Sequence, residues 1–273
     1  MNTMLNWKCR RSKFVRTLLT LPLAALGLLL TAQAKTQAQA QTLSGVPDST
    51  GQVVVCVADG WNSDHGKLQA YSRQAPGAPW KPLWDASVPV MLGKNGLAWG
   101  NGVIPVPHGQ GGIPSKREKD TRAPAGMFRI GTLYGYAPSA PAGARVPYYH
   151  VTARDCWIDN PDLPDYNRHV VVDPSNPPPW YAKERMRLGD FAYEFLLEVR
   201  HNADPPRRNE GSAIFFHIRR GPKTPTHGCT TMARRNLVSL ITWIQPQARP
   251  LYVLLPKKEY QARQQTWRLP PIP

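Results

Sequence analysis

One stretch of the chain carries the residue types that nucleophilic chemistry needs. Gly211-Ser212-Ala213-Ile214-Phe215-Phe216-His217 reads as a strand ending in a histidine. Arg219 to Pro225 reads as a tight basic loop, and Thr226-His227-Gly228-Cys229 follows, just ahead of an expected helix. A thiol attacks only as its thiolate, and an ordinary pKa of about 8.5 leaves little of that form at neutral pH. Two features of this stretch would help: His217 or His227 as a proton acceptor, and the positive end of a helix dipole at Cys229. Gly228 lets backbone N–H groups approach a developing oxyanion. The same residues also read as a small buried cysteine beside two hydrogen-bonded histidines, and that alternative stays open on local chemistry alone.

Other chemistries are poorly served. The chain has no Cys-x-x-Cys pair, and His217, His227 and Cys229 do not stand at zinc-finger spacing, so a metal site is not expected. Of four cysteines, Cys9 falls in a basic head at the N-terminus. The remaining three, Cys56, Cys156 and Cys229, leave at least one thiol unpaired. A Cys56–Cys156 disulfide is one arrangement and two separately buried thiols the other.

The compartment follows from residues 1–34. Lys8, Arg10, Arg11, Lys13 and Arg16 precede an apolar run from Leu18 to Leu30, which is short for a membrane span, and Ala32-Gln33-Ala34 offers a cleavage site. This pattern predicts a signal peptide, export to the periplasm or cell envelope, and no membrane association after cleavage. Cleavage would remove five basic residues and no acidic ones, lowering the net charge from +16 to +11. The basicity therefore belongs mostly to the mature chain. Export, and basic residues without regular aromatic interleaving, argue against nucleic acid and for an extracellular anionic polymer.

The elements that must hold the reactive stretch are short. With 29 Pro and 21 Gly, a long-helix protein is disfavoured. Strands are expected at Val53–Ala58, Lys67–Ser72, Ala125–Ile130, Pro147–Thr152, Phe191–Arg200, Ser212–Ile218 and Leu251–Leu255. Helices are expected at Ala182–Leu188 and Ala233–Ile244, the second with Leu237, Leu240, Ile241 and Ile244 on one face. Residues 35–50 read as a flexible linker, 51–256 as one mainly β domain, and 257–273 as a basic surface tail.

Three blocks of sequence resemble the L,D-transpeptidase catalytic domain family, also called YkuD-like. The first is Phe216-His217 followed by Thr226-His227-Gly228-Cys229-Thr230-Thr231-Met232. The second is Lys116-x-Glu118-x-Asp120 with Ala123-Pro124-Ala125-Gly126-Met127-Phe128. The third is Asp159-Asn160 with Tyr166-Asn167-Arg168. The likeness runs from about Val53 to Pro256. It implies a β-sandwich with a helix following the catalytic cysteine and few other helices. It further implies Cys229 as nucleophile, His217 as base, Gly228 and Cys229 N–H groups as oxyanion hole, and Thr226 and His227 as site-shaping residues. That no organic cofactor is needed is implied by the resemblance alone. The substrate it implies is a peptidoglycan stem tetrapeptide, cleaved with release of D-Ala and transferred to an amine; a carbapenem would be an acylating inhibitor. Thr231 stands where many members carry Arg, and Arg220 is the candidate to supply that charge to a stem carboxylate. The Lys116–Asp120 and Ala123–Phe128 blocks are expected to be a surface loop and a core strand. Two alternatives share the sequence: a carboxypeptidase or amidase using the same Cys-His site, and a non-catalytic wall-binding protein.

Overall fold

The structure is a computed structural model that describes residues 43–273. The expected signal peptide lies outside the described residues, as does the first part of the expected linker. Thirteen strands follow in chain order: β1 (Gln52–Ala58), β2 (His65–Ser72), β3 (Lys81–Pro82), β4 (Val88–Met91), β5 (Leu97–Trp99), β6 (Ala123–Gly135), β7 (Tyr148–His150), β8 (Asp155–Trp157), β9 (His169–Val171), β10 (Leu196–Val199), β11 (Phe215–Ile218), β12 (Thr230–Met232) and β13 (Leu251–Pro256). Three α-helices accompany them: α1 (Tyr181–Glu184), α2 (Arg234–Trp243) and α3 (Lys257–Arg263). The fold is mainly β with few helices, as expected. Among the described residues no helix is long and apolar enough to cross a membrane.

Eight strands close into a ring. The order β1-β13-β6-β10-β11-β12-β4-β2 returns to β1 through the antiparallel β1–β2 pairing. The two layers of the sandwich are therefore continuous at their edges, which leaves no open strand edge on this ring. β1 and β13 are buried at every residue and pair in parallel. Strands covered on both faces read as continuous apolar runs, as Gln52-Val-Val-Val-Cys-Val-Ala58 and Leu251-Tyr-Val-Leu-Leu-Pro256 do. Helix α2 buries Leu237, Leu240 and Ile241, with Ile244 just beyond its end, the face that its periodicity predicted.

β7 pairs with β6 at the ring, and residues 151–193 form a layer over one face of it. The β8–β9 hairpin, α1 and a 3₁₀ turn at Phe191–Tyr193 belong to it. Val151 and Met186 from this layer pack with Leu196 and Phe215 of the ring, and Cys229 lies against that cluster.

Four expectations are corrected. The strand expected over Phe191–Arg200 is a 3₁₀ turn followed by β10. Asp190 caps the turn by accepting the Ala192 N–H at 3.2 Å, a local bond that competes with sheet pairing. The helix expected over Ala182–Leu188 stops at Glu184, because Arg185 is extended and bridges to Cys156. The tail from 257 is not a surface tail: α3 buries Tyr260, and Trp267 and Leu269 join the main core. The last residues of the expected linker are packed too. Val46 is fully buried, and its N–H donates to the Trp267 carbonyl at 2.8 Å. The disulfide alternative also falls away: Cys56, Cys156 and Cys229 are free, with Cys56 in the main core and Cys156 in a small cluster within the covering layer.

Candidate active site

Strands β11 and β12 run parallel, with Phe216 beside Thr230 and His217 beside Thr231. Parallel neighbours need a chain return, here made by residues 219–229. That loop swings past the end of β4, where the Thr226 N–H donates to the Leu92 carbonyl at 2.7 Å and the Lys94 N–H donates to the Thr226 carbonyl at 2.8 Å. The return sets Cys229 at the start of β12. Side chains alternate along strands. Phe216 and Thr230 point into the core, where both meet Tyr252. Phe215, His217, Cys229 and Thr231 therefore share the opposite face, under the covering layer. Cys229 and His217 are diagonal neighbours on it.

Cys229 does not lead a helix. The three residues of β12 and Ala233, the α2 N-cap, intervene, so the dipole contribution expected from sequence is remote. Cys229 as a residue is half-buried, its thiol is desolvated, and Sγ donates to the Ala213 carbonyl at 3.5 Å. Desolvation by the surrounding protein pushes its pKa up to about 11, although the Phe215 backbone and the Lys116 charge favour the thiolate. His217 is buried, and its Nδ1 donates to the Ile218 carbonyl at 3.0 Å. A carbonyl only accepts, so this bond fixes the tautomer with the proton on Nδ1 and leaves Nε2 as the proton acceptor. Burial brings the His217 pKa down to about 4. The Ile218 carbonyl and the Ala192 backbone oppose that shift and Arg220 adds to it. Thiol and imidazole are thus both neutral at rest, and no hydrogen bond joins them in this structure.

The loop ahead of the thiol is braced by one hydroxyl. Thr226 Oγ1 accepts the Gly228 N–H at 3.0 Å and donates to the Cys229 carbonyl at 2.7 Å. Gly228 has φ +144°, and a Cβ there would stand 3.0 Å from the Arg122 carbonyl, so a glycine is required. Gly228 N–H, expected in the oxyanion hole, is occupied by Thr226 in this state. His227 is exposed. Arg220 makes a two-pronged ion pair with Asp190, at 2.9 and 2.5 Å, and lies 5.2 Å over the Tyr193 ring. The Tyr193 ring in turn packs edge-on against His217 at 5.1 Å. Arg220 is therefore already partnered, and its field acts on His217; the Arg220 bonds hold the Asp190 carboxyl below its usual range.

The blocks around Lys116 and Tyr166 are visible in the sequence, but the structural role of their residues is not. Lys116 is buried rather than on a surface loop, with Nζ 2.5 Å from Asp120. Asp120 also accepts the Arg122 N–H at 2.9 Å, which fixes the strand against which Gly228 packs. Glu118 accepts from Tyr166 and from Ser212 Oγ at 2.8 Å. Asn167 Oδ1 accepts the Ala213 N–H at 3.0 Å and so positions the carbonyl that holds the thiol. The second and third sequence blocks are thus brackets for the strand and loop that carry the first. Among the described residues no three His, Cys, Asp or Glu side chains form a metal-binding set.

A family profile described as the YkuD L,D-transpeptidase catalytic domain matches residues 85–253. That stretch is more than half of the chain and contains both Cys229 and His217, and the protein belongs to this family. Strands β1 and β2 precede the matched residues yet complete the ring. No curated protein and no solved structure gives a match.

Proposed function

We propose that the protein is an exported cysteine L,D-transpeptidase of the bacterial cell envelope, acting on peptidoglycan stem tetrapeptides. The observation that carries this reading is the shared face: Cys229 and His217 lie on adjacent parallel strands, inside the residues matched by the family profile. In the first half-reaction the Cys229 proton passes to His217 Nε2 as sulfur attacks the carbonyl of the third stem residue. The Cys229 N–H stabilises the oxyanion, joined by the Gly228 N–H when Thr226 releases it. The C–N bond to D-Ala breaks, and the imidazolium protonates the leaving amine. In the second half-reaction an amine of another stem attacks the thioester. Its proton passes to His217 and on to the departing Cys229 sulfur, giving a 3→3 crosslink.

Intact mass after incubation with a carbapenem gives the first test: one adduct on the wild type and none on Cys229→Ala. Digestion of stem tetrapeptides gives the second. Release of D-Ala with crosslinked dimers supports transfer. Release with a water adduct alone replaces it with a carboxypeptidase. An inert Cys229 sinks both and leaves a wall-binding protein.

A further inference from the structure

The face that carries the nucleophile also holds a cavity of about 340 Å³ that acyl transfer leaves unused. Its place follows from register. Glu198 lies opposite Phe215 across β10–β11. Cys229, one residue before the Thr230–Phe216 pair, lies beside Phe215 across β11–β12. Cys229, Phe215 and Glu198 therefore form one row. Two strand spacings of about 4.8 Å put the ends of that row roughly 10 Å apart, with the Phe215 ring between them.

Glu198 is buried at one wall of this cavity, 6% exposed. The backbone makes room for it: a Cβ at Gly131 would collide with the carboxylate. Its protein partners are two long ones, the Thr132 N–H at 3.2 Å and Arg200 Nη1 at 3.3 Å, while the other guanidinium nitrogens of Arg200 are committed to Asp204. A carboxylate has about four acceptor positions, so Glu198 retains capacity for a donor. Burial, only partly offset by Arg200, raises the Glu198 pKa; an ammonium group placed against it would reverse that shift. Tyr134 and Trp157 line the same cavity, their rings edge-to-face at 5.5 Å, and aromatic faces attract cations. At the rim Arg168 is exposed and ion-paired with no carboxylate among the described residues. Asn167, the next wall residue, is the one that fixes the Ala213 carbonyl beside the thiol.

We propose that this cavity binds the zwitterionic end of an amino acid, with the ammonium on Glu198 against Tyr134 and Trp157 and the carboxylate on Arg168. Its link to Cys229 rests on the transpeptidase reading: the zwitterion is carried by a chain that crosses Phe215 to the thiol. Such an end is available on the side chain of a diamino acid bearing a second carboxylate in the donor stem; the acceptor's amine must stay free to attack the thioester.

Calorimetric titration of the full chain as Cys229→Ala, which turns nothing over, tests the pocket by itself. The probes are norleucine, hexanoate (the ammonium removed) and pentylamine (the carboxylate removed). Norleucine is expected to bind at least tenfold more tightly than either, to quench Trp157 fluorescence, and to lose at least tenfold on Arg168→Ala or Glu198→Gln. Arg168 is exposed, so its variant folds even where the buried Glu198 variant does not. Equal binding of the three probes, or a norleucine affinity unchanged by Arg168→Ala, overturns the proposal. With the catalytic protein, donor stems whose diamino acid is zwitterionic are expected to release D-Ala in preference to amidated ones, and Arg168→Ala to abolish that preference. Selective binding without D-Ala release sinks the transpeptidase reading alone. D-Ala release with a selectivity indifferent to Arg168 sinks the pocket alone.

Discussion

A thiol pushed up to about 11 and an imidazole brought down to about 4 cannot form a stable ion pair at neutral pH. The burial that keeps His217 neutral also keeps it basic only toward a proton released in the act of attack, so substrate must complete the proton path. Alkylation of Cys229 by iodoacetamide should therefore rise about tenfold per pH unit from neutrality toward the thiol pKa. A flat rate across the neutral range would reveal a preformed thiolate and contradict this account. Thr226 makes a second residue-scale prediction. Thr226→Val removes both braces of the Gly228–Cys229 loop, each worth roughly 0.5–1.5 kcal/mol. Turnover of the folded variant should fall about 10- to 100-fold through misplacement of the nucleophile, beside a stability loss of roughly 1–3 kcal/mol for the two bonds. Cys229 and His217 stand out in the sequence as candidates because their chemistry resides in side-chain type. The Ala213 and Ile218 carbonyls do not, because a backbone acceptor has no residue signature and is placed by pairing at a distance.

At the scale of elements, the site depends on how β11, its return loop and β12 are held. Lys116 is buried behind that unit and pairs with the half-buried Asp120. Removing Asp120 leaves the buried Lys116 charged and desolvated, so Asp120→Leu should cost about 3–5 kcal/mol in urea unfolding. The double variant Lys116→Met, Asp120→Leu should recover much of that loss; no recovery would show that the pair is not the source. Helix α2 and the apolar strands β1 and β13 were readable because each spends its whole length in one environment, which prints a clean period or run. Strands β8, β9 and β12 are three residues each, too short for alternation to register, and exist through tertiary pairing. The Phe191–Arg200 stretch misled for a related reason: its apolar residues are real, but Asp190 turns the chain before β10 begins.

The whole molecule is closed by its ends. β13 pairs in parallel with β1, α3 follows directly, and Trp267 receives the Val46 N–H, so the last residues seal the ring that carries the site. Deleting residues 257–273 uncovers the positions packed against Tyr260, Trp267 and Leu269. The truncated chain should unfold cooperatively at much lower urea and lose carbapenem labelling with it; a truncated protein of normal stability would return these residues to the status of a tail. Acid offers a separate global prediction. His201 and His217 are buried, chiefly neutral through desolvation, with pKa values of about 3 and about 4 against an unfolded value near 6.5. Between those limits the unfolded chain binds more protons than the native one, so stability is full above the unfolded value and is lost as pH falls through the window. Asp159 acts oppositely: burial and the charges of Glu184 and Glu118 raise it to about 6, so the native state binds the extra proton there. It is one group against two, and the net slope follows the histidines. His201 Nε2 donates to the Glu210 carbonyl at 3.0 Å while its Nδ1 has no partner, so His201→Gln removes the titration and can keep the donor. The variant should lose less stability than the wild type between neutral pH and pH 4 by about one proton's worth of slope. An unchanged slope would assign the acid sensitivity to other groups.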